Sequence, residues 1–593
     1  MIKYQIGSEL PASHYFDVSI RIDDPAPAGQ TLRLPNWIPG SYMIRDFARN
    51  LLDLRAHCAD GELAIEQVDK SNWRVAPCAG ALTLDYKVYA NDLSVRAAHL
   101  DHSHGYYNGS SVFLEVVGQS AEPCEVLIER PGAAACGDWR VATSLRRKQA
   151  EPYDFGLYQA LDYDDLIDHP VEMGEFTLIS FAACGVPHDV VLTGRFDCDE
   201  ARLAVDLQKI CEHHIRFFGE PAPMDYYLFQ VMVVGDGYGG LEHRASTSLV
   251  AKRASLPQPR QGAIGDDYRD FLGLCSHEYF HTWNVKRIKP AAYLPYDLQN
   301  EVYTDLLWAF EGITSYYDDL ALLRCGLIDA PGYLELLAQT LTRVRRGAGR
   351  LRQSAAESSF NTWTKFYKQD ENAANAIVSY YAKGSLIAAC IDLKLRALSH
   401  GATSLDDVMR RLWQDFRQTG AGVESDGIQQ LVSELAGEDL GEFLDELIYG
   451  TSELPLVDLL EAAGIEVVQR VASNAQDKGG KAASVALPMA ELGAAFKDGE
   501  GGISVLRVVE QGALQRAGLS AGDVIIAVDG IKLNQAALES RLQRAGVGDV
   551  WQLHAFRRDE LHYFEVVLQA AEENTFVLGI ADTEAAKRGW PGA

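Results

Sequence analysis

The chain has 593 residues, 47% hydrophobic and 23% charged, an ordinary globular balance that excludes wholesale disorder and allows roughly four domains of about 150 residues. Fifty-four Lys and Arg against 83 Asp and Glu leave a formal net charge of −29, which argues against non-specific binding of nucleic acid or of an anionic membrane surface. The sequence shows no uninterrupted apolar run of about 18 residues, no signal-like opening and no C-x-x-C pair among its ten Cys, so a cytoplasmic protein with reduced, mostly buried thiols is expected.

Residues 1–180 are strand-rich. Tyr15–Ile22 and Leu82–Tyr89 alternate apolar with polar residues, and turn formers recur at short intervals, which predicts an antiparallel β-sandwich. Within it, Leu34-Pro35-Asn36-Trp37-Ile38-Pro39-Gly40-Ser41-Tyr42 reads first as a structural corner and second as a wall of a substrate cleft. Over 181–470 the pattern changes. A strand-like run from Tyr226 to Val234 leads through Gly235–Gly240 into Leu241-Glu242-His243. Helical periods then span 266–283, 303–323, 375–398 and 404–416, several opened by Asp, Asn or Ser as caps. A polar stretch, 473–481, reads as a linker before a second β-rich region at 482–575, and 576–593 is set apart as a C-terminal tail.

The densest chemistry lies in His277-Glu278-Tyr279-Phe280-His281. On a helix, two imidazoles four residues apart aim at one metal ion, and a neighbouring Glu that is not a ligand can accept a proton from water; this is the hydrolytic zinc pattern H-E-x-x-H. Two His need a third protein ligand. Glu311, inside Trp308-Ala309-Phe310-Glu311-Gly312, is the preferred candidate, and Glu301, in what reads as a helix entrance, is its rival. The basic run Lys286, Arg287 and Lys289 reads as a solvated helix end, with contact to a peptide carboxylate the lesser alternative.

The pairing of H-E-x-x-H with W-x-x-E-G is similar to the gluzincin metallopeptidases. The 29 residues between His281 and Glu311, the run His281-Thr282-Trp283-Asn284-Val285-Lys286-Arg287-Ile288-Lys289-Pro290, and Trp37-Ile38-Pro39-Gly40-Ser41-Tyr42 look more specifically like the bacterial glycyl aminopeptidase family. Ala517-Gly518-Leu519 through Gly530 resembles a bacterial PDZ domain. The resemblance implies a multidomain α+β chain: a β-sandwich N-terminal domain, a thermolysin-like catalytic domain with a helical extension, and a PDZ domain. It further implies one zinc per chain on His277, His281 and Glu311, with Glu278 as general base.

Gly239-Gly240-Leu241-Glu242-His243 resembles the aminopeptidase sequence G-x-M-E-N, which makes Glu242 the group that binds the substrate α-amine beside Gly239 and Gly240. Leu241 and His243 depart from that pattern. Tyr380-Tyr381-Ala382-Lys383-Gly384 is similar to Y-x-K-G, which casts Tyr381 as donor to the tetrahedral oxyanion and Tyr380 as the residue most easily confused with it. The implied activity is removal of a small first residue, Gly or Ala, from peptides with a free N-terminus. In the PDZ region Glu491–Phe496 is the candidate loop for a C-terminal peptide ligand. A thermolysin-type endopeptidase and a non-catalytic PDZ scaffold are the rival readings.

Overall fold

The computed structural model describes residues 1–133, 136–260 and 262–590, so the last three residues of the expected tail lie outside it. It divides into two compact units, Met1–Val302 with Trp413–Gly422, and Tyr303–Leu412 with Val423–Ala593.

The first unit opens with an eight-stranded sheet built around β1 (Ile2–Gly7), β2 (Tyr15–Ile22) and β3 (Leu82–Tyr89), with β2 antiparallel to both neighbours. The pleat sends alternate side chains to one face. Ile2, Tyr4, Ile6, Val18, Ile20, Ile22, Leu84 and Val88 therefore share a single core, completed by residues of two four-stranded sheets. Two buried phenols find acceptors within it: Tyr4 donates to Leu114 O at 2.9 Å and Tyr86 to Val112 O at 2.8 Å. The short helix α1 (Tyr163–Ile167), capped by Asp162, ends at Asp168.

A five-stranded sheet follows, in the order β4 (Phe176–Ala183), β5 (Val186–Thr193), β6 (Tyr227–Val234), β8 (Ser246–Lys252), with β7 (Gly239–Glu242) on the edge. β5, β6 and β8 run parallel, and β7 pairs antiparallel to β8 with Glu242 opposite Thr247. Helix α2 (Glu200–Phe218) is capped by the Asp199 carboxylate, and α3 (Asp266–Phe280) packs beside it. Tyr279 anchors α3 to the sheet, its ring 4.6 Å from that of Tyr227, while Trp283 stacks on Phe218 at 4.8 Å.

The second unit is helical around α7 (Tyr380–Ser399), whose cap Ser379 accepts from Ala382 N. Residues 373–399 are long and apolar enough to cross a membrane, and 78% of their apolar window is buried inside the protein, as in a core helix. The single helix expected over 303–323 is broken. It forms α4 (Leu307–Phe310) and α5 (Gly312–Arg324), with Glu311 at the joint. Next comes α6 (Ala330–Arg346), capped by Asp329.

The PDZ sheet contains β10 (Ala494–Gly499), β11 (Gly502–Val508), β12 (Val524–Val528), β13 (Val550–Arg557) and β14 (Glu560–Val567), with helix α8 (Gln535–Leu542) over a core that includes Ile503, Leu514, Ile525, Leu538 and Trp551. Residues 576–590, set apart as a tail in the sequence, carry structure. β15 (Thr575–Ile580) pairs antiparallel with β9 (Ile465–Arg470), which lies before the PDZ region, and buries Phe576 and Leu578. No disulfide joins the ten Cys, five of which are buried and five half-buried.

Candidate active site

Helix α3 places His277 in its last turn and His281 at its C-terminal cap, where the four-residue spacing brings the two rings to 4.6 Å. His281 is 1% exposed, and its Nδ1 lies 2.7 Å from Asn284 O. With the Nδ1 hydrogen donated to that carbonyl, Nε2 keeps its lone pair for a metal. The chain then folds back, Lys286 N donating to His281 O at 3.0 Å.

Glu278 is buried and lies directly under β7. A Cβ on Gly240 would stand 2.1 Å from Glu278 Oε1, so only glycine lets the strand pass this carboxylate undisturbed. Gly239, by contrast, has open space where its Cβ would be. Glu242 is 3% exposed, and the Pro39-Gly40 turn presses on it: a Cβ on Gly40 would come within 2.4 Å of Glu242 Oε2. That turn is also the expected corner. Trp37 Nε1 donates to Asp297 O at 2.8 Å, Asn36 N donates to Leu298 O at 2.8 Å, and Tyr42 stacks on Tyr293.

Donor atoms of Glu242, Glu278 and His281 all lie within 4.8 Å of one another. Two buried carboxylates this close repel unless a cation or a proton lies between them. Imidazole and carboxylate oxygen are also donors that zinc accepts, so the residues present fit a divalent metal.

The basic run corrects its expectation. Lys286 and Lys289 are only 5% and 6% exposed, and Lys286 is held by a counter-charge the local sequence does not contain. Lys286 Nζ lies 2.7 Å from Asp168 Oδ1, Arg244 N donates to Asp168 Oδ2 at 3.0 Å, and His243 Nδ1 lies 3.4 Å from Oδ1. Burial alone would raise the Asp168 carboxyl, but Lys286 and Arg244 hold it well below the usual carboxylate range. Burial, with Lys286 and Arg244 adding to it, pushes the Lys289 ammonium down to about 7; its Nζ lies 4.3 Å from the centre of the Tyr296 ring. Asp168 was missed by sequence reasoning, and no motif marks it.

In the second unit Glu311 is buried at the α4–α5 joint. The next residue, Gly312, meets Gly384 of α7: a Cβ on Gly312 would be 2.5 Å from Gly384 Cα, and one on Gly384 2.5 Å from Trp308 O. One turn before Gly384 the two tyrosines separate. Tyr380 is fully buried, its hydroxyl accepting from Thr362 Oγ1 at 3.0 Å. Tyr381 is half-buried, its ring clustered with those of Tyr380 and Phe366, with its hydroxyl 3.5 Å from that of Tyr367. Glu301, the rival to Glu311, is exposed. In the PDZ region the Glu491–Phe496 loop turns at Gly493, whose φ of +65° and close approach to Gly512 both require glycine.

Residues 3–175 match the Peptidase M61 N-terminal domain, residues 270–387 the M61 glycyl aminopeptidase family and residues 490–568 a PDZ domain. A crystal structure of an aminopeptidase N family protein from Idiomarina loihiensis is 43% identical, covers 99% of both chains and superposes with a TM-score of 0.96. The chain belongs to the M61 glycyl aminopeptidase family. An M1 zinc metallopeptidase from Deinococcus radiodurans aligns with this M61 peptidase at 14% identity, over 77% of this chain and 94% of the other, with a TM-score of 0.48. No curated protein matches it. As an M61 member the chain is a peptide hydrolase, and the PDZ domain inferred from Ala517–Gly530 is present.

Proposed function

We propose that this M61 peptidase is a zinc-dependent aminopeptidase that releases the first residue of peptides with a free N-terminus, with Gly or Ala preferred. The observation that carries the reading is the grouping of Glu242 and Glu278 with His281, which sets a carboxylate fit for an ammonium beside a metal-ligating imidazole. The preference for Gly or Ala rests on the glycyl aminopeptidase match alone.

By the family resemblance, His277, His281 and Glu311 would hold one zinc ion. Zinc, when bound, supplies Lewis acidity toward the scissile carbonyl and toward water. Glu278 takes the proton of the attacking water and delivers it to the leaving amine. Glu242 holds the substrate ammonium; at an effective dielectric near 20, opposite charges about 4 Å apart interact by roughly 4 kcal/mol before desolvation costs, enough to favour chain ends over chain interiors. Tyr381 donates its hydroxyl to the developing oxyanion, and Gly239 and Gly240 give the substrate backbone room at the strand edge. The outer edge of β10 would take a C-terminal peptide by strand addition, and ten Cys without a disulfide agree with a cytoplasmic location.

The test compares release of the first residue from a Gly-initiated peptide with cleavage of its N-acetylated twin by zinc-loaded protein, with Glu278→Gln as control. Turnover lost on acetylation supports the aminopeptidase. Equal cleavage of both peptides points to an endopeptidase, and no Glu278-dependent cleavage of either points to the scaffold.

A further inference from the structure

The amine carboxylate and the metal-binding helix end are joined by a third party. We propose that Asp168 is a positioning residue that sets the spacing between Glu242 and His281, and so sets how far from the bound ammonium the peptide is cut. The inference rests on the aminopeptidase reading above and deepens it.

Three facts carry it. First, Asp168 reaches both sides. Its Oδ2 accepts from the backbone N–H of Arg244, two residues past Glu242, at 3.0 Å, and its Oδ1 takes Lys286 Nζ at 2.7 Å. Lys286 in turn donates its backbone N–H to His281 O at 3.0 Å. A single carboxylate therefore ties the end of β7 to the turn that ends α3.

Second, the end of β7 lies at the margin of its sheet. Glu242 lies on an edge strand paired on one side only, and the chain reverses at once, with His243 N donating to Ser246 O at 2.9 Å. Rotation of that tight turn would move Glu242 relative to His281, and the contacts of Asp168 with His243 and Arg244 oppose it, together with the packing of Gly40 on Glu242.

Third, the clasp is buried and charged. Asp168 is 6% exposed and Lys286 5%, so either charge left alone would be strongly disfavoured and the pair holds one geometry. An exopeptidase that removes one residue needs the distance from amine to scissile carbonyl held constant, and displacement of a positioning group by about 1 Å can cost on the order of a hundredfold in rate.

The experiment reads binding instead of turnover. Affinities of glycine hydroxamate and N-acetylglycine hydroxamate are measured by calorimetry on zinc-loaded wild type, Asp168→Asn and Lys286→Met, with zinc content checked for each. In wild type the free amine strengthens binding by at least about tenfold, and in both variants the ratio falls below about threefold while the acetylated compound binds as before. A merely structural role would weaken both compounds alike and leave the ratio standing, which would overturn the proposal. An unchanged ratio in the variants overturns it as well. If wild type itself does not discriminate, the amine role of Glu242 fails first, and the proposal falls with it. Should Asp168→Asn not load zinc, Lys286→Met alone decides, since it removes the other half of the same clasp.

Discussion

The two units hold their chemical groups in different ways. In the first, Glu242 and Glu278 sit on and under an edge strand, close against Gly40 and Gly240, and the end of that strand is held by an ionic cluster: Asp168 with Lys286, Arg244 and His243. In the second, Glu311 and Tyr381 flank a contact between two helices made by Gly312 and Gly384, and the surroundings are steric and aromatic. Charge tolerates small shifts in shape but not the loss of a partner. Close-packed backbone tolerates neither an added methyl nor a shift. Substitutions should therefore separate the two regions by kind of damage.

The largest effect is expected at Glu278. Glu278→Gln keeps the shape and removes the base, so kcat should fall by about 10³-fold while zinc content and Tm stay at wild-type values; steady-state kinetics and metal analysis check this. Tyr381→Phe should lower kcat by roughly 10²- to 10³-fold with little change in KM, whereas Tyr380→Phe, which strips a partner from Thr362, should cost stability of about 1 kcal/mol and leave kcat near wild type. If the two tyrosines behave alike, aromatic packing and not oxyanion donation explains the pair.

Glycines sharpen the contrast further. Gly240→Ala pushes on the flexible end of Glu278, so activity should drop by on the order of 10²-fold at nearly unchanged Tm, while Gly239→Ala, facing open space, should do almost nothing. Gly384→Ala pushes on helix backbone instead and should cost about 1–3 kcal/mol in denaturant unfolding. The smallest effect is on pH dependence. Because burial lowers Lys289 to about 7, the unfolded chain binds more protons than the folded one between pH 7 and the ordinary lysine range. Stability should rise with pH across that window, by at most about 1.4 kcal/mol per pH unit, and Lys289→Met should flatten the slope. An identical slope in the variant would mean that the ammonium is solvated.

Much of this was legible because it is local. The four-residue spacing of His277 and His281 depends only on helical period, and the PDZ pattern from Ala517 to Gly530 on turn residues and strand alternation. What escaped reading is non-local. Lys286 looked solvated because its counter-charge, Asp168, lies far upstream in a different domain, and two charges desolvate together only once the fold has brought them together. The break at Glu311 carries no proline and no capping signal. It is visible only against Gly384, which allows α5 to approach α7 so closely. The contact of Gly40 with Glu242 is of the same kind: the local motif marked a corner, and its neighbour is supplied by tertiary structure.

The pairing of β9 with β15 bears on how the PDZ domain can be removed or moved. The chain leaves the helical body after Arg470 and returns at Thr575, and Arg346 of α6 holds both crossings, donating to Asp477 O and to Thr575 Oγ1 at 2.7 Å each. Between them the domain is moored again by Asn375, whose side-chain amide bonds Val508 O at 2.9 Å and Glu510 N at 3.0 Å. The module is thus an insertion with two leads and not a terminal appendage. A stop codon placed ahead of it would unpair β9 and strip the helical body of its own closing strand, so a clean excision has to splice the residue after Arg470 onto the one before Thr575.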